Sequence, residues 1–365
     1  MGRQRLILVN GRFLSQPITG VQRYAREVVS ELAKLEPDNY KVLTVCASHH
    51  VNDNKYGGEI FFDHAPFSGV LWEQIRLPLL MSKFKADLLW SPCNTGPVLV
   101  EKQVVTIHDA SFFVNEPWFS KAFTFYYRLV VRLLGRKARM VLTDSNFSKE
   151  ELVKYGVTPI DKIRSIPAGV AEKFRHVKNR LFDFPYVLTV GSRDPRKNIT
   201  RLIHAWQILP PQARQNRKLV IAGGRAKVFG EEKLSALPED VIFADYVNDE
   251  DMPALYSGAD AFVYPSLYEG FGLPPLEAMA CGCPVIVSNV ASLPEVCEGA
   301  AHYVDPYHVQ DIADGLCRVL TEKTLRTKLV QRGYEHVKRF TWVATARKTL
   351  QALIEVMDVG VLEER

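Results

Sequence analysis

A chain of 365 residues is too long for one ordinary hydrophobic core and implies two domains of similar size. Its composition, 47% hydrophobic and 24% charged, is that of a soluble globular protein, and no apolar run reaches the roughly 20 residues that a membrane span requires. The net charge of +5 is unevenly divided. Residues 1–180 carry 26 Lys and Arg against 17 Asp and Glu, net +9, and the remainder carries 20 against 24, net −4. The basic N-terminal half predicts an anionic partner that the other half does not share; anionic lipid or a lipid diphosphate fits, and nucleic acid is not expected. The six cysteines form no pair of C-x2-C units, so a zinc site is not expected, and Cys281 and Cys283 read as small buried residues. The N-terminus reads as a short strand followed at once by polar Gly11-Arg12, which argues against a secretory signal and for a cytosolic protein.

Short aliphatic runs alternate with helical patterns along the whole chain, the signature of parallel sheets wound by helices. Strands are predicted at 6–9, 42–45, 88–90, 104–107 and 140–143, then at 187–190, 219–221, 241–243, 261–264, 285–287 and 302–304. Two such sets imply two Rossmann-like domains, joined near 167–184 where Pro-Ala-Gly and a poorly periodic basic stretch break the rhythm.

After the first strand, Gly20 stands at a loop-to-helix junction, where it serves either the turn alone or a close approach to phosphate. Arg12 and Arg23 read equally well as surface charges. The run 104–107 ends in His108-Asp109, which puts a histidine at the carboxyl end of a strand, the edge where open α/β sheets bind ligands. Asp109 most simply caps the next turn. Residues 121–139 hold six basic side chains and no acidic one, so the predicted helix reads either as a membrane-surface element or as a domain helix whose solvated side is Arg128, Arg132 and Arg136. In the second half, the run 187–190 leads to Gly191-Ser-Arg193-Asp-Pro-Arg196-Lys197-Asn, a cationic loop suited to offsetting a leaving diphosphate.

The stretch Tyr264-Pro-Ser-Leu-Tyr-Glu269-Gly270-Phe271-Gly272-Leu273-Pro-Pro-Leu-Glu277 joins a buried strand to a helix. Gly270 and Gly272 allow close backbone approach, Pro274 and Pro275 suit a first helical turn, and free N–H groups there attract phosphate. Glu269 and Glu277, with seven residues between them, are placed to accept hydrogen bonds from sugar hydroxyls. No G-x-G-x-x-G follows either domain's first strand, which disfavours a dehydrogenase.

This pattern resembles the E-x7-E motif of retaining glycosyltransferases of family 4, which have the GT-B fold, and the segments around Gly20, His108 and Lys197 resemble that family too. The chain departs from it in carrying Thr19-Gly20 where two glycines are usual, and Gly191-Ser192 where Gly-Arg is usual, with Arg193 standing in. The resemblance implies an α/β GT-B protein of two Rossmann-like domains facing across a cleft. Residues 1–170 would bind acceptor, 171–345 would bind the nucleotide sugar, and the helix 346–365 would pack back on the first domain. It implies a hexosyltransferase acting with retention, without metal or other cofactor, on a nucleotide-sugar donor as substrate. His108 and Glu269 would serve the transferred sugar, Glu277 the ribose, and Lys197 with Arg193 or Arg196 the diphosphate. Gly20 and the turn Gly270, Phe271, Gly272 and Leu273 would contact the donor through backbone. Likeness to polysaccharide mannosyltransferases suggests mannose from GDP-mannose, while the basic, aromatic first half favours a saccharide or lipid-linked saccharide acceptor and contact with the inner face of an anionic membrane. A UDP-sugar enzyme with a soluble acceptor, or a nucleotide-sugar epimerase or binding protein of the same architecture, remain the alternatives.

Overall fold

The computed structural model describes residues 4–35, 39–47, 56–114, 116, 118–224 and 238–363. Their contacts divide the chain into two units, one of Met1–Phe113, Phe125–Gly169 and Thr341–Arg365, the other of Val114–Thr124 and Val170–Phe340. The segment 114–124 therefore falls outside the simple 1–170 division, and the return to the first unit begins at Thr341 rather than at 346.

The elements run in order as β1 (Arg5–Asn10), α1 (Gly20–Leu35), β2 (Tyr40–Ala47), β3 (Ile60–Asp63), α2 (Gly69–Phe84), β4 (Leu88–Ser91), β5 (Gln103–Thr106), α3 (Lys121–Lys137), β6 (Met140–Thr143), α4 (Asn146–Lys154) and β7 (Ile163–Ser165). They continue as β8 (Tyr186–Val190), α5 (Ile199–Gln207), α6 (Pro211–Arg214), β9 (Lys218–Ala222), β10 (Val241–Asp245), α7 (Met252–Gly258), β11 (Ala261–Tyr264), α8 (Leu273–Ala280), β12 (Val285–Ser288), α9 (Leu293–Cys297), β13 (His302–Val304), α10 (Val309–Thr321), α11 (Lys323–Val337) and α12 (Trp342–Glu363).

The first unit's sheet has the order β3-β2-β1-β4-β5-β6-β7 and the second unit's the order β10-β9-β8-β11-β12-β13. All pairings are parallel. In each sheet the chain steps outward one way from its first strand, then crosses back to step outward the other way. The reversal lies between β1 and β4 in one unit and between β8 and β11 in the other. Such a switch point opens a crevice at the carboxyl ends of the two strands, which is where open α/β sheets take ligands.

Helices cover both faces, so the central strands are buried throughout, as their unbroken apolar runs require. In the second unit Leu202 and Trp206 of α5 and Leu316 and Val319 of α10 pack on Val187, Leu219 and Val263. In the first, Trp72, Leu77 and Leu80 of α2 pack on Leu8, Leu43, Val45 and Leu89. The last helix belongs to the first unit. Ala346, Leu353, Val356 and Met357 of α12 are buried, Arg5 pairs with Asp358 at 2.5 Å, Arg164 pairs with Glu355, and the Thr345 hydroxyl donates to the Pro167 carbonyl at 2.8 Å.

Candidate active site

In the second unit, the loop after β8 and the loop after β11 flank the switch point, and the chain stitches them together. Asp194 caps the short turn Pro195–Lys197, accepting from the Arg196 backbone N–H at 3.0 Å. Asn198, in the left-handed conformation, donates through Nδ2 to the carbonyls of Pro265 at 3.0 Å and Pro306 at 2.7 Å. The Leu267 N–H donates to the Arg196 carbonyl at 2.7 Å. The Ser292 hydroxyl lies 2.9 and 2.8 Å from the carbonyls of Glu269 and Phe271, fixing the turn from below.

This stitching brings Lys197 against Glu269. The ammonium donates to Glu269 Oε1 at 2.7 Å and to the Tyr264 hydroxyl at 2.5 Å, and both charged side chains are 14% exposed. Its third N–H has no partner among the described residues. Burial alone would raise the Glu269 pKa, but the Lys197 and Arg196 cations outweigh it and hold the carboxyl below its ordinary value. Burial alone would likewise lower the Lys197 pKa, and the Glu269 charge reverses that. The pair is therefore ionised at neutral pH and joins the ends of the two strands at the switch.

The other two cations of the loop point elsewhere. Arg196 is held by the fully buried Asp194, with Nε 2.7 Å from Oδ2, and lies over the rings of Phe119 and Trp118 at 5.1 and 5.9 Å. Arg193 lies 4.0 Å over the Phe243 ring and pairs with Asp245 at 3.0 Å, at the end of β10. The three charges do not form one cluster.

Glu277 sits inside α8, buried, and accepts from the Tyr256 hydroxyl at 3.0 Å. Gly272 precedes the helix at φ 110°, and a Cβ there would lie 2.7 Å from Leu293 Cδ2, so only glycine fits. Pro274 and Pro275 have no N–H, so the start of α8 offers the backbone donors of Gly272 and Leu273 and fewer than an ordinary helix end. Phe271 is buried and meets the Phe340 ring edge-on at 6.0 Å. Gly223 closes the far side of the loop at φ 136°, and a Cβ there would lie 2.0 Å from the Gly191 carbonyl oxygen. Gly223→Ala is expected to destabilise the chain by at least about 2 kcal/mol, read from urea unfolding; unchanged stability would mean the loop moves freely.

In the first unit the switch point holds a buried polar network that the sequence did not signal. Glu73 of α2, fully buried, accepts from Asn10 Nδ2 and Thr95 Oγ1, both at 3.0 Å, while Arg12 Nη1 approaches it at 3.4 Å and is partly exposed. Asn10 ends β1, and Ser91, which ends β4, lies 3.5 Å from the same amide. Arg12 is thus an anchored side chain at a strand end.

His108 follows β5, and both ring nitrogens are engaged. Nδ1 lies 2.6 Å from Asp144 Oδ2 and Nε2 lies 2.9 Å from the Pro92 carbonyl oxygen. Two acceptors require two N–H groups, so the ring is an imidazolium. Burial works against that charge, but Asp144 outweighs it and raises the pKa to about 10. No ring nitrogen is left over for a sugar hydroxyl, so what the ring can offer a neighbouring sugar is its positive charge. Asp109 caps the following turn, accepting from Ser111 N–H at 2.9 Å. Gly20 opens α1, and a Cβ there would meet nothing within 4 Å, so packing does not demand glycine.

Residues 18–174 match the family described as Glycosyltransferase Family 4, and residues 171–336 match Glycosyl transferases group 1. The chain is 32% identical over 373 residues to the O-antigen chain mannosyltransferase B of Escherichia coli, an alignment covering 93% of this chain and 97% of that protein. It is 32% identical over 237 residues to the O-antigen chain mannosyltransferase RfbU of Salmonella typhimurium, covering 64% of each. Sucrose-phosphate synthase from Thermosynechococcus elongatus superposes with a TM-score of 0.75 at 22% identity, over 98% of this chain and all of that one. Paired Rossmann-like sheets, matches to both family descriptions and identity along nearly its whole length show that this chain belongs to glycosyltransferase family 4, the hexose-transferring enzymes of the GT-B fold.

Proposed function

We propose that this glycosyltransferase moves mannose from GDP-mannose, with retention at the anomeric carbon and without a metal, to a saccharide or lipid-linked saccharide acceptor in surface-polysaccharide assembly. The names of the two O-antigen mannosyltransferases support the sugar and the product class. The observation that carries the reading is the Lys197–Glu269 pair spanning the second unit's switch point, the ammonium donating to two acceptors among the described residues. On this reading Lys197 and the backbone N–H groups of Gly270, Phe271, Gly272 and Leu273 meet the donor diphosphate as it leaves. Glu269 accepts from the sugar hydroxyls, and Glu277 from the ribose. Arg193 or Arg196 adds positive charge once released from its present partner, and Gly20 lets backbone approach the phosphates. His108 contributes a fixed positive charge rather than a ring N–H. The transferring step breaks the bond from the anomeric carbon to the diphosphate and forms one to an acceptor hydroxyl on the same face, the hydroxyl proton passing to the departing phosphate oxygen. The offset of negative charge needed for this is supplied by cationic side chains and backbone N–H groups. The chain would work in the cytoplasm at the inner face of the membrane; no helix among the described residues is long and apolar enough to cross one.

The test is incubation with a panel of GDP- and UDP-sugars, reading donor hydrolysis and thermal shift. GDP-mannose is expected to give the largest response; turnover of a UDP-sugar alone would overturn the donor, and interconversion of the donor without acceptor would make the chain an epimerase. Glu277→Gln is expected to raise the donor KM about tenfold, the loss of roughly 1.4 kcal/mol from a charged hydrogen bond, with a smaller effect on kcat. An effect confined to acceptor kinetics would contradict the ribose role.

A further inference from the structure

The segment Val114–Thr124 belongs by its contacts to the second unit, while Phe113 before it and Phe125 after it belong to the first. It runs from the turn after His108 into the first turn of α3. Trp118, on this connecting segment, is only 5% exposed, whereas connecting segments ordinarily lie on the surface. Its ring meets the buried Tyr268 ring at 5.6 Å, and the Arg196 guanidinium lies over it at 5.9 Å. Arg196 directly precedes Lys197, and Tyr268 directly precedes Glu269. One ring thus packs against the chain neighbour of each member of the ion pair, on the loop after β8 and on the loop after β11.

The ring is itself fixed. The Trp118 N–H donates to the Glu116 carbonyl at 2.8 Å, and the Thr124 N–H donates to the Ser120 carbonyl at 2.9 Å where α3 begins. Phe119 stacks on Phe123 at 5.1 Å and brings a second ring to Arg196, also at 5.1 Å. Aromatic faces attract a guanidinium through their quadrupole, and two rings together with the Asp194 carboxylate leave it little freedom. The hydrogen bond from Leu267 to Arg196 joins the two loops through their backbones, and the Trp118 ring joins them through side chains. We propose that Trp118 is a positioning residue for the transfer, a wedge from the first half of the chain that sets the spacing of the two loops and hence of Lys197 and Glu269. It acts through that pair and not on the donor. The inference rests on the donor role proposed for the pair, but not on which base or sugar the donor carries. Placement counts because a displacement of about 1 Å at a reacting group can cost roughly 100-fold in rate.

The experiment is a double-mutant cycle on the full chain, with whichever GDP- or UDP-sugar is hydrolysed as substrate and at a temperature where urea unfolding shows every variant fully folded. Trp118→Leu keeps an apolar side chain against Tyr268 and removes the ring. It is expected to lower kcat about tenfold with the donor KM within about twofold, and Trp118→Phe should recover most of that loss. Tyr268→Leu removes the ring's other seat and should reproduce the loss, which keeps the test open if Trp118→Leu fails to fold. In Lys197→Ala the further change Trp118→Leu should lower kcat by no more than about twofold, because the spacing of the pair no longer counts once one member is gone. A purely structural tryptophan would instead multiply its effect on that of Lys197→Ala. Full turnover by Trp118→Leu or Tyr268→Leu, a Trp118→Phe variant as slow as Trp118→Leu, or the same tenfold loss with and without Lys197 would overturn the proposal. Near-normal turnover by Lys197→Ala alone would sink the role of the pair and the wedge with it. A slow Lys197→Ala on which the Trp118→Leu loss simply multiplies would sink the wedge and leave the role of the pair standing.

Discussion

Lys197→Ala is expected to lower kcat/KM by on the order of 10²–10³-fold or more, the range seen when a charge-stabilising donor is removed from a developing anion. The same change should cost stability for a separate reason. Lys197 and Glu269 are both nearly buried, and deleting one partner of such a pair leaves an uncompensated charge, typically about 3–5 kcal/mol. Turnover alone could not separate the two effects. Lys197→Met combined with Glu269→Gln removes both charges and should recover much of the lost stability while recovering none of the turnover. The pH dependence gives an independent check. In the wild type the Glu269 pKa is held down, so its contribution is present above the unfolded carboxylate value of about 4.3 and is lost as pH falls through the folded value. In Lys197→Ala burial acts against only the weaker influences of Arg196 and Ser266, the folded pKa rises, and the sign reverses: the variant's deficit should shrink as pH falls. Urea unfolding from about pH 4 to pH 7 reads this directly. Near-normal turnover by Lys197→Ala would end the diphosphate role. A deficit independent of pH would mean that Glu269 is not the group left stranded.

The sequence disclosed the fold because its strands are short apolar runs buried on both faces, and the runs at 187–190 and 261–264 fall almost where β8 and β11 lie. It did not disclose β3 or β7. Both are sheet edges of four and three residues with partly exposed side chains, too short and too mixed to show a period. At the site, Gly272, Glu269 and Lys197 were legible because a strand-to-helix turn and a cationic loop are local patterns. What holds them was not. Asn198 reaches Pro306 across 108 residues and Ser292 reaches Phe271 across 21, and neither side chain differs in type from a routine cap or turn residue. The divergence of Arg193 and Arg196 was hidden for the same reason, since Asp245 is 52 residues away from the arginine it binds. Glu73 gave no signal, because its helix also carries Gln74, Arg76, Ser82 and Lys83 and a single carboxylate among them reads as solvated. His108 was found, but its chemistry depends on Asp144 and Pro92, 36 and 16 residues away, and only their convergence shows both ring nitrogens to be occupied.

Asp144→Asn tests that convergence. The wild-type imidazolium has a folded pKa of about 10 against about 6.5 when unfolded, so its stabilisation is fully present below about pH 6.5 and is lost as pH rises through the folded value. Across that window stability should fall by up to about 1.4 kcal/mol per pH unit. With asparagine at 144 the buried ring has no charge to oppose burial, its pKa drops, and a neutral imidazole has one N–H for two acceptors. The variant is expected to lose about 3–5 kcal/mol at neutral pH and to show no slope from this group between about pH 7 and pH 10. Urea unfolding at several pH values, with the His108 ring followed by NMR, measures both. Pro92, His108 and Asp144 follow β4, β5 and β6, so the pair ties three strand ends together. The His108 ring also meets Tyr24 of α1 edge-on at 4.8 Å, and Tyr24 meets Trp342 of α12 at 6.0 Å. A histidine that acts as this fastener should show activity and stability falling in parallel in Asp144→Asn. Activity lost with the pH slope intact would instead return His108 to the reacting sugar.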